Sequence, residues 1–235
     1  MPNLYATLPN LKSSGVLNIT NTTYDASLVD VLEVASRKFD KDTDRFFYEY
    51  ETTFYQDGGS VRLVLDWDVQ SITTLKVDFD GSGQYSTTYN LASTPVDAFL
   101  YPLNETPKTR LEVNPYGAVG HLGPGLRKSV QITGVFGYGN DWPASYTHSN
   151  SNLLTAAMTS TGTSMTALSS SDSVYETGQT IQFTGTTAGS PTEQVFISQT
   201  TSSTSYTVQR AQNGTTAIIP GTTASIAVYD YPADV

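Results

Sequence analysis

The clearest pattern of apolar and polar positions in the chain lies between residues 22 and 48. Its apolar positions recur at steps of three and four residues, at Leu28, Val31, Leu32, Ala35 and Phe39. This spacing predicts a helix with one apolar stripe, and we expect the stripe to be buried against a sheet. Thr22 and Asp25 have the spacing of a capping box, so we expect the helix to begin there and to end near Phe39.

After Tyr50 the pattern changes to the alternation that is typical of β-strands. The strands predicted in this part of the chain lie at 61–65, 75–79, 85–91, 98–101, 109–113 and 129–138. The run Asp80-Gly-Ser-Gly predicts a turn that joins the second and third of these strands in a hairpin. Residues 1–139 are therefore expected to form one domain, in which the helix covers an antiparallel sheet.

The C-terminal part is rich in Thr and Ser and nearly free of Lys and Arg. Short strands are predicted at 164–168, 180–183, 194–198, 205–209 and 225–229, with a turn at Asn213-Gly214. Even spacing of this kind is typical of a small barrel or sandwich. The polar segment 140–152 is expected to be a linker, and residues 153–235 a separate all-β domain. The predicted fold class is therefore α+β: a helical-plus-β-sheet core followed by a small all-β domain.

Composition narrows the function classes. The chain has 235 residues, with 22 acidic and 12 basic side chains and a net charge of −10. This balance argues against a protein that grips nucleic-acid phosphates, although DNA could pass such a protein without binding to it. There is no cysteine, which excludes disulfides and thiolate metal sites. The sequence shows no signal-peptide pattern and no apolar segment of membrane-spanning length.

Candidate chemistry is sparse. Asp40, Asp42 and Asp44 have the spacing of the first half of a calcium loop, but Arg45 stands where that loop requires glycine. The two histidines have no ligand spacing to each other, and no Gly-x-Ser-x-Gly motif is present. No motif pairs a nucleophile with a base. We therefore expect no catalytic residues, no metal and no cofactor, and the protein is predicted not to be an enzyme.

Several segments follow one another in an order that single degenerate motifs seldom show by chance. They are LVDVLEVASRKFDKDTDRFFY, SITTLKVDFDG, VQITGVFGYGNDWP, and, in the C-terminal part, a Glu-Gln pair followed by an Arg-x-x-Asn-Gly-Thr hairpin. Together they cover most of residues 6–232. In this order the segments resemble the head–tail connector, or adaptor, proteins of tailed bacteriophages.

The resemblance implies a structural protein of the virion neck, assembled in the cytoplasm of the bacterial host. Such a protein is a homo-oligomeric ring, usually of twelve copies, between the portal protein and the next stopper or tail ring. DNA passes through the ring without specific binding, and no membrane is involved. In such a ring we expect Asp40, Asp42 and Asp44 to line the DNA channel. The alternative is that these carboxylates only keep the free subunit soluble.

A second function class remains open. A secreted or surface carbohydrate-binding β protein would need exposed aromatic faces on its β domain. The candidate aromatic residues are Tyr146, Tyr175, Tyr206, Tyr229 and Tyr231. Aromatic residues in strands are more often packing residues than a platform for sugars, so this function is the alternative to the neck ring.

Overall fold

The structure is a computed structural model. It describes residues 3–92, 94–123, 125–138, 146–167, 175–184, 192–222 and 224–229, with the backbone alone for 146–153. Contacts divide the chain into two compact units. The first is Arg45–Pro143, here called the middle unit. The second combines Met1–Asp44 with Ala144–Val235 and is here called the terminal unit.

The middle unit is a six-stranded antiparallel sheet. Its strands are β1 (Tyr50–Gln56), β2 (Arg62–Val77), β3 (Thr87–Tyr89), β4 (Ala98–Tyr101), β5 (Lys108–Val113) and β6 (Val130–Phe136). The strand order is β1-β6-β2-β5-β4, and β3 also pairs with β2. The predicted β2–β3 hairpin is confirmed, with Leu75 opposite Tyr89. The strands predicted at 98–101, 109–113 and 129–138 correspond to β4, β5 and β6.

The core of the middle unit forms where β2 and β6 pair. Leu75 and Val77 of β2 are fully buried, as are Val130 and Ile132 on the opposite strand. A Cβ atom on Gly134 would lie 2.1 Å from the carbonyl oxygen of its neighbour on β2. Glycine at this position therefore allows β6 to approach β2 closely enough for this packing.

The turn between β2 and β3 is held by one buried carboxylate, Asp78. Its Oδ1 accepts the backbone N–H of Asp80 at 3.2 Å and of Gly81 at 2.9 Å, and its Oδ2 accepts that of Gly83 at 2.8 Å. A side chain that bonds its own following backbone is the typical device of such turns. The Asp-rich sequence here is explained by the turn.

The terminal unit contains both helices of the described chain and a second antiparallel sheet. Its elements are α1 (Leu8–Lys12), α2 (Asp25–Thr43), β7 (Tyr146–Leu153), β8 (Ser164–Thr166), β9 (Thr180–Thr184), β10 (Thr192–Thr200), β11 (Ser205–Gln212) and β12 (Ser225–Tyr229). The strand order is β7-β12-β9-β10-β11-β8. A bridge between Leu154 and Ala167, next to the two outermost strands, brings these strands together as in a barrel. All five strands predicted after residue 160 are confirmed, and so is the turn at Asn213-Gly214.

The predicted fold class is wrong. The described part of the chain is mostly β, with 38% of residues in strands against 12% in helices, and its strands form two antiparallel sheets instead of a helical α+β core. The physical reason is that α2, of 19 residues, is the one long helix among the described residues, whereas every regular element described from Tyr50 onward is a strand.

The division of the chain also differs from the expected domains at 1–139 and 153–235. The boundary falls between Asp44 and Arg45, so the helical segment groups with the C-terminal sheet. Strand β7, Tyr146–Leu153, overlaps the expected linker 140–152 and pairs with β12. Residues 140–145 lie outside the described part of the chain.

The ends of α2 differ from the prediction as well. The N-cap is Tyr24, without a side-chain cap, so the expected capping box does not form. The Asp25 carboxylate instead binds the Lys12 ammonium at 2.5 Å. The helix continues beyond Phe39 to Thr43, and Asp44 is its C-cap, with a left-handed φ of 54°.

Candidate functional site

Helix α2 buries one narrow face and exposes a wider apolar one. Leu32 is buried and packs with Leu4 and Phe196, which confirms its predicted burial. Ser36, one turn later, donates its hydroxyl to the Leu32 carbonyl at 2.8 Å and accepts the Tyr5 N–H at 3.1 Å. This polar anchor fixes which side of the helix faces inward.

The rest of the predicted stripe is not buried. Val31 is 60% exposed, Ala35 and Phe39 are also exposed, and Leu28 is only half-buried. Val34, which the stripe did not include, is 69% exposed. The prediction of a buried stripe is therefore wrong for Val31, Ala35 and Phe39. Helical spacing shows that apolar residues share a side of a helix, but it does not show what covers them.

We call the uncovered apolar surface of this helix the α2 strip. Its members are Tyr24, Leu28, Val31, Val34, Ala35 and Phe39. At 100° per residue they span an arc of about 140°. Contiguous exposed apolar surface of this kind marks interaction sites in soluble proteins.

An apolar groove runs along one side of the α2 strip. Its volume is about 230 Å³, and Tyr5, Leu32, Ala35 and Phe39 are among its lining residues. Tyr5 and Phe39 meet edge to face with ring centroids 6.0 Å apart. The small Ala35 side chain leaves a depression between larger neighbours, so the surface presents both a ridge and a hollow.

The C-terminal end of α2 carries the three carboxylates that were predicted to line a DNA channel. Asp40 is mostly buried; it accepts the Tyr5 hydroxyl and lies 2.9 Å from Arg37 Nε. Asp42 is exposed and pairs with Lys38 at 2.7 Å. Asp44 is exposed. Burial raises the pKa of the Asp40 carboxyl, against the opposing effects of the hydrogen bond and of the arginine.

The structure therefore gives these carboxylates unequal exposure. Asp40 faces inward and Asp42 is neutralised by a neighbour, so Asp44 is the member with the most direct access to solvent. A single chain defines no channel. The channel-lining role of Asp40, Asp42 and Asp44 stays a prediction.

A second uncovered surface lies on the middle unit, and we call it the β2–β5–β4 face. Cross-strand pairing places Arg62, Glu112 and Phe99 in one row. The next row on this side is Val64, Arg110 and Tyr101. Val64 is 67% exposed, and Phe99 and the nearby Leu103 are exposed as well. Tyr101, Leu103 and Arg110 help to line a cavity of about 430 Å³.

Two arginines give this face its charge. Arg62 Nε lies 2.7 Å and Arg110 Nε 3.0 Å from the same Glu112 carboxylate oxygen. The Arg110 guanidinium also lies 4.9 Å from the centre of the Tyr101 ring, within range of a cation–π contact. The face thus combines exposed apolar side chains with the Arg62 and Arg110 guanidinium groups and the Glu112 carboxylate, and exposed Asp66 follows Val64 by two positions on β2.

The motif residues of the C-terminal part meet in a buried polar cluster. Arg210 Nε and Nη2 donate to the two Glu193 oxygens at 2.7 and 2.5 Å, with the Glu193 side chain 0% and the Arg210 side chain 7% exposed. The Ala211 and Ile218 N–H groups also donate to Glu193. Next to this pair, Asn213 donates to Gln194 at 2.6 Å.

A β-bulge directs Arg210 into this cluster. The register between β10 and β11 shifts so that Arg210 and Ala211 together oppose Val195, and Ala211 has a φ of 53°. Such bulges re-aim side chains. The arrangement satisfies a buried carboxylate, so its role is to stabilise the β structure.

The proposed sugar platform does not form from the described tyrosines. Tyr175, Tyr206 and Tyr229 are all buried. Tyr175 and Tyr206 pack edge to face at 5.5 Å inside the terminal unit. The Tyr146 side chain and Tyr231 lie outside the described residues.

Comparison with protein-family models, curated proteins and solved structures finds no match to this chain. Among the described residues, no helix is long and apolar enough to cross a membrane. The same residues contain no group of three or more His, Asp or Glu side chains that could hold a metal ion. Within the described residues, the α2 strip and the β2–β5–β4 face are candidate functional surfaces because each exposes several apolar side chains together.

Proposed function

We propose that this protein is a structural subunit of a tailed-phage virion. Its copies form a neck ring that joins the portal protein to the next stopper or tail ring. The ordered sequence motifs supply the class of protein. The observation that carries the proposal is the α2 strip, because a helix with an uncovered apolar face is suited to assembly. The helix-rich core expected from the resemblance is not part of the proposal.

Exposed apolar surface on α2 is unfavourable in free energy because it is in contact with water, unless a partner covers it. Val31 and Val34 stand in solvent on a helix that already buries Leu32 on its inner side. Removing apolar surface from water stabilises a complex by about 25 cal/mol for each Å² covered, before the costs of association. A subunit that functions in an assembly gains this stabilising free energy, whereas a monomer does not.

The C-terminal motif supports the proposal in a different way. Its Glu193 and Arg210 form the buried ion pair, and its Gln194 and Asn213 form the adjoining amide contact. The residues that carry the resemblance are therefore the residues that specify the bulged β10–β11 pair. A chain with the same motif in the same order would be expected to form the same local structure.

The charge of the chain suits a ring that DNA crosses. A net charge of −10 repels phosphates at close range. The effect extends over about one Debye length, roughly 8 Å at physiological salt. Exposed carboxylates such as Asp44 contribute most to this repulsion, and Asp40, which is held by Tyr5 and Arg37, contributes least.

The experiment that tests the proposal locates the subunit in the particle. Virions that carry a short peptide tag on this protein are imaged with a tag-specific antibody fragment, and untagged virions serve as the control. We expect extra density in a ring between the head and the tail. Density on the capsid or on tail fibres, or tagged protein in the lysate but none in purified particles, would contradict the proposal.

A further inference from the structure

We propose that Asn213 is a site of spontaneous deamidation and that its contact with Asn3 controls the rate of this reaction. The reaction converts a neutral buried amide into a carboxylate without an enzyme. It is independent of the proposed function, because it requires only this chain and water. It adds an irreversible chemical change to a contact that holds the N-terminal segment in place.

The sequence of the turn after β11 favours this chemistry. Asn213-Gly214 is the single Asn-Gly pair in the chain. In deamidation the backbone nitrogen of the following residue attacks the Asn side-chain carbonyl carbon, and glycine hinders that attack least because it has no side chain. Gly214 is exposed, so solvent base has access to the turn. Asn213 is therefore the residue at which we expect the reaction.

The reaction has two steps. First, the Gly214 nitrogen loses its proton to solvent base and forms a bond to Asn213 Cγ, and the Nδ2 group leaves as ammonia, so that a succinimide ring forms. Water then adds to one of the ring carbonyls, and the ring opens to aspartate or to isoaspartate. The net change is an amide plus water to a carboxylic acid plus ammonia, with no oxidation or reduction.

The fold restrains the Asn213 side chain. This side chain is fully buried, and its Nδ2 donates to Asn3 Oδ1 at 3.0 Å and to Gln194 Oε1 at 2.6 Å. Its Oδ1 accepts Asn3 Nδ2 at 2.6 Å. The turn is closed by the Thr215 N–H, which donates to the Gln212 carbonyl at 3.0 Å. Departure of Nδ2 breaks both of its hydrogen bonds, so the rate follows the population of chains that have opened locally.

Asn3 is the partner whose release leaves the sheet intact. Gln194 lies on β10 opposite Gln212 on β11, so its loss would separate two paired strands. Asn3 belongs instead to the N-terminal segment, 210 residues away in sequence. Chain termini open more readily than paired strands. Opening of this segment removes one bond from Asn213 Nδ2 and the bond to its Oδ1, while β10 and β11 stay paired.

Deamidation prevents the segment from reattaching. The new carboxylate has an oxygen where Nδ2 donated, so this oxygen faces the acceptor oxygens of Asn3 and Gln194 in a buried site. An unpaired buried charge is unfavourable in free energy. Leu4 and Tyr5 follow Asn3 directly; Leu4 packs with Leu32, and Tyr5 lines the groove beside the α2 strip. The reaction therefore removes part of the wall of that groove.

Peptide mass spectrometry measures the reaction directly. The purified full chain and a synthetic peptide of residues 209–217 are incubated separately in the same mildly alkaline buffer, and amide hydrolysis and isoaspartate at Asn213 are followed with time. We expect the full chain to react at least about tenfold more slowly than the peptide. Equal rates in the chain and the peptide would overturn the proposal, because the fold would then give no protection.

Asn3→Ala tests the control by Asn3. It removes both amide contacts from Asn213, so we expect deamidation at least about tenfold faster than in the original chain. Asn10→Ala, at an exposed position of α1, is the matched control and should react at the original rate. Thr180→Ala is the milder variant if Asn3→Ala does not fold, because it removes only the hydroxyl that donates to Asn3 Oδ1 at 3.2 Å. No acceleration in either variant that folds would overturn the proposal.

Asn213→Asp tests the consequence by supplying the product carboxylate from the start. We expect faster amide hydrogen exchange over residues 4–12 than in the original chain, because the segment no longer attaches. Asn104→Asp adds the same charge at an exposed position of the middle unit and is the matched control. Exchange as slow as in the original chain would show that the site accepts a carboxylate, and the proposed release of the segment would be wrong.

Discussion

Asn3 and Asn213, 210 residues apart, bond to each other through both ends of their amide groups. Asn3 Nδ2 donates to Asn213 Oδ1 at 2.6 Å, and Asn213 Nδ2 donates to Asn3 Oδ1 at 3.0 Å. Both side chains are fully buried. Thr180 also donates to Asn3 Oδ1 at 3.2 Å. This contact fastens the start of the chain to the turn after β11 within the terminal unit.

Replacing Asn3 tests that attachment. Asn3→Ala leaves the buried Asn213 oxygen without its amide donor, which should cost about 1–3 kcal/mol. We expect a lower transition temperature by calorimetry and faster amide hydrogen exchange over residues 4–12. Asn10→Ala, at an exposed position of α1, is the matched control and should change little. Unchanged exchange in Asn3→Ala would mean that the amide pair does not hold this segment.

The Glu193–Arg210 ion pair leads to a second prediction. Arg210→Met leaves a carboxylate with 0% exposure without its cation, so we expect a loss of about 3–5 kcal/mol in the free energy of unfolding. Lys38→Met breaks the exposed pair with Asp42 and should cost less than about 1 kcal/mol. Calorimetry of the full chain measures both. Equal effects of the two substitutions would show that the buried pair contributes no more to stability than the exposed pair.

The two faces of α2 should respond differently to the same kind of truncation. Leu32→Ala opens a cavity against Leu4 and Phe196 and should destabilise by about 2–5 kcal/mol. Val31→Ala truncates a side chain on a residue that is 60% exposed, so its effect on stability should stay within about 0.5 kcal/mol. Urea denaturation provides the comparison. A large effect of Val31→Ala in the monomer would mean that the chain covers this residue itself.

Most strands of this chain were predictable because their signals are local, although β1 and β7 were not predicted and β2 was predicted as two separate strands. The alternation in 205–209 and the Asn213-Gly214 turn predict β11 and its end without knowledge of the rest of the fold. The turn held by Asp78 is local in the same sense, since its partners lie within five residues. Predictions of such local features can be correct even when the predicted fold class is wrong.

The predictions that failed concern features set by contacts between distant parts of the chain. The side of α2 that faces inward is set by Leu4, Tyr5 and Phe196, none of which lies near the helix in sequence. The grouping of residues 1–44 with the C-terminal sheet likewise involves the Asn3–Asn213 contact. The β2–β5–β4 face was missed because exposed Val64 and Phe99 resemble ordinary strand residues in sequence.

Asp40 predicts a pH dependence of stability. Burial raises the pKa of its carboxyl in the folded chain, so the folded state binds more protons than the unfolded state between the ordinary and the raised pKa. The contribution of Asp40 is therefore fully present below the ordinary pKa, about 4, and is lost as the pH rises through the folded value. Urea denaturation from about pH 4 upward should show Asp40→Asn gaining stability relative to the original chain. A relative loss would contradict the direction of the shift.

The central claim is that this protein works as an assembly of its own copies. Native mass spectrometry of the purified chain over a range of concentrations, alone and with the portal protein of the same phage, tests it most directly. We predict one closed oligomer whose mass is an integer multiple of 25.4 kDa, and its loss in Val31→Asp. A single species of 25.4 kDa at every concentration, with and without portal protein, would contradict the account.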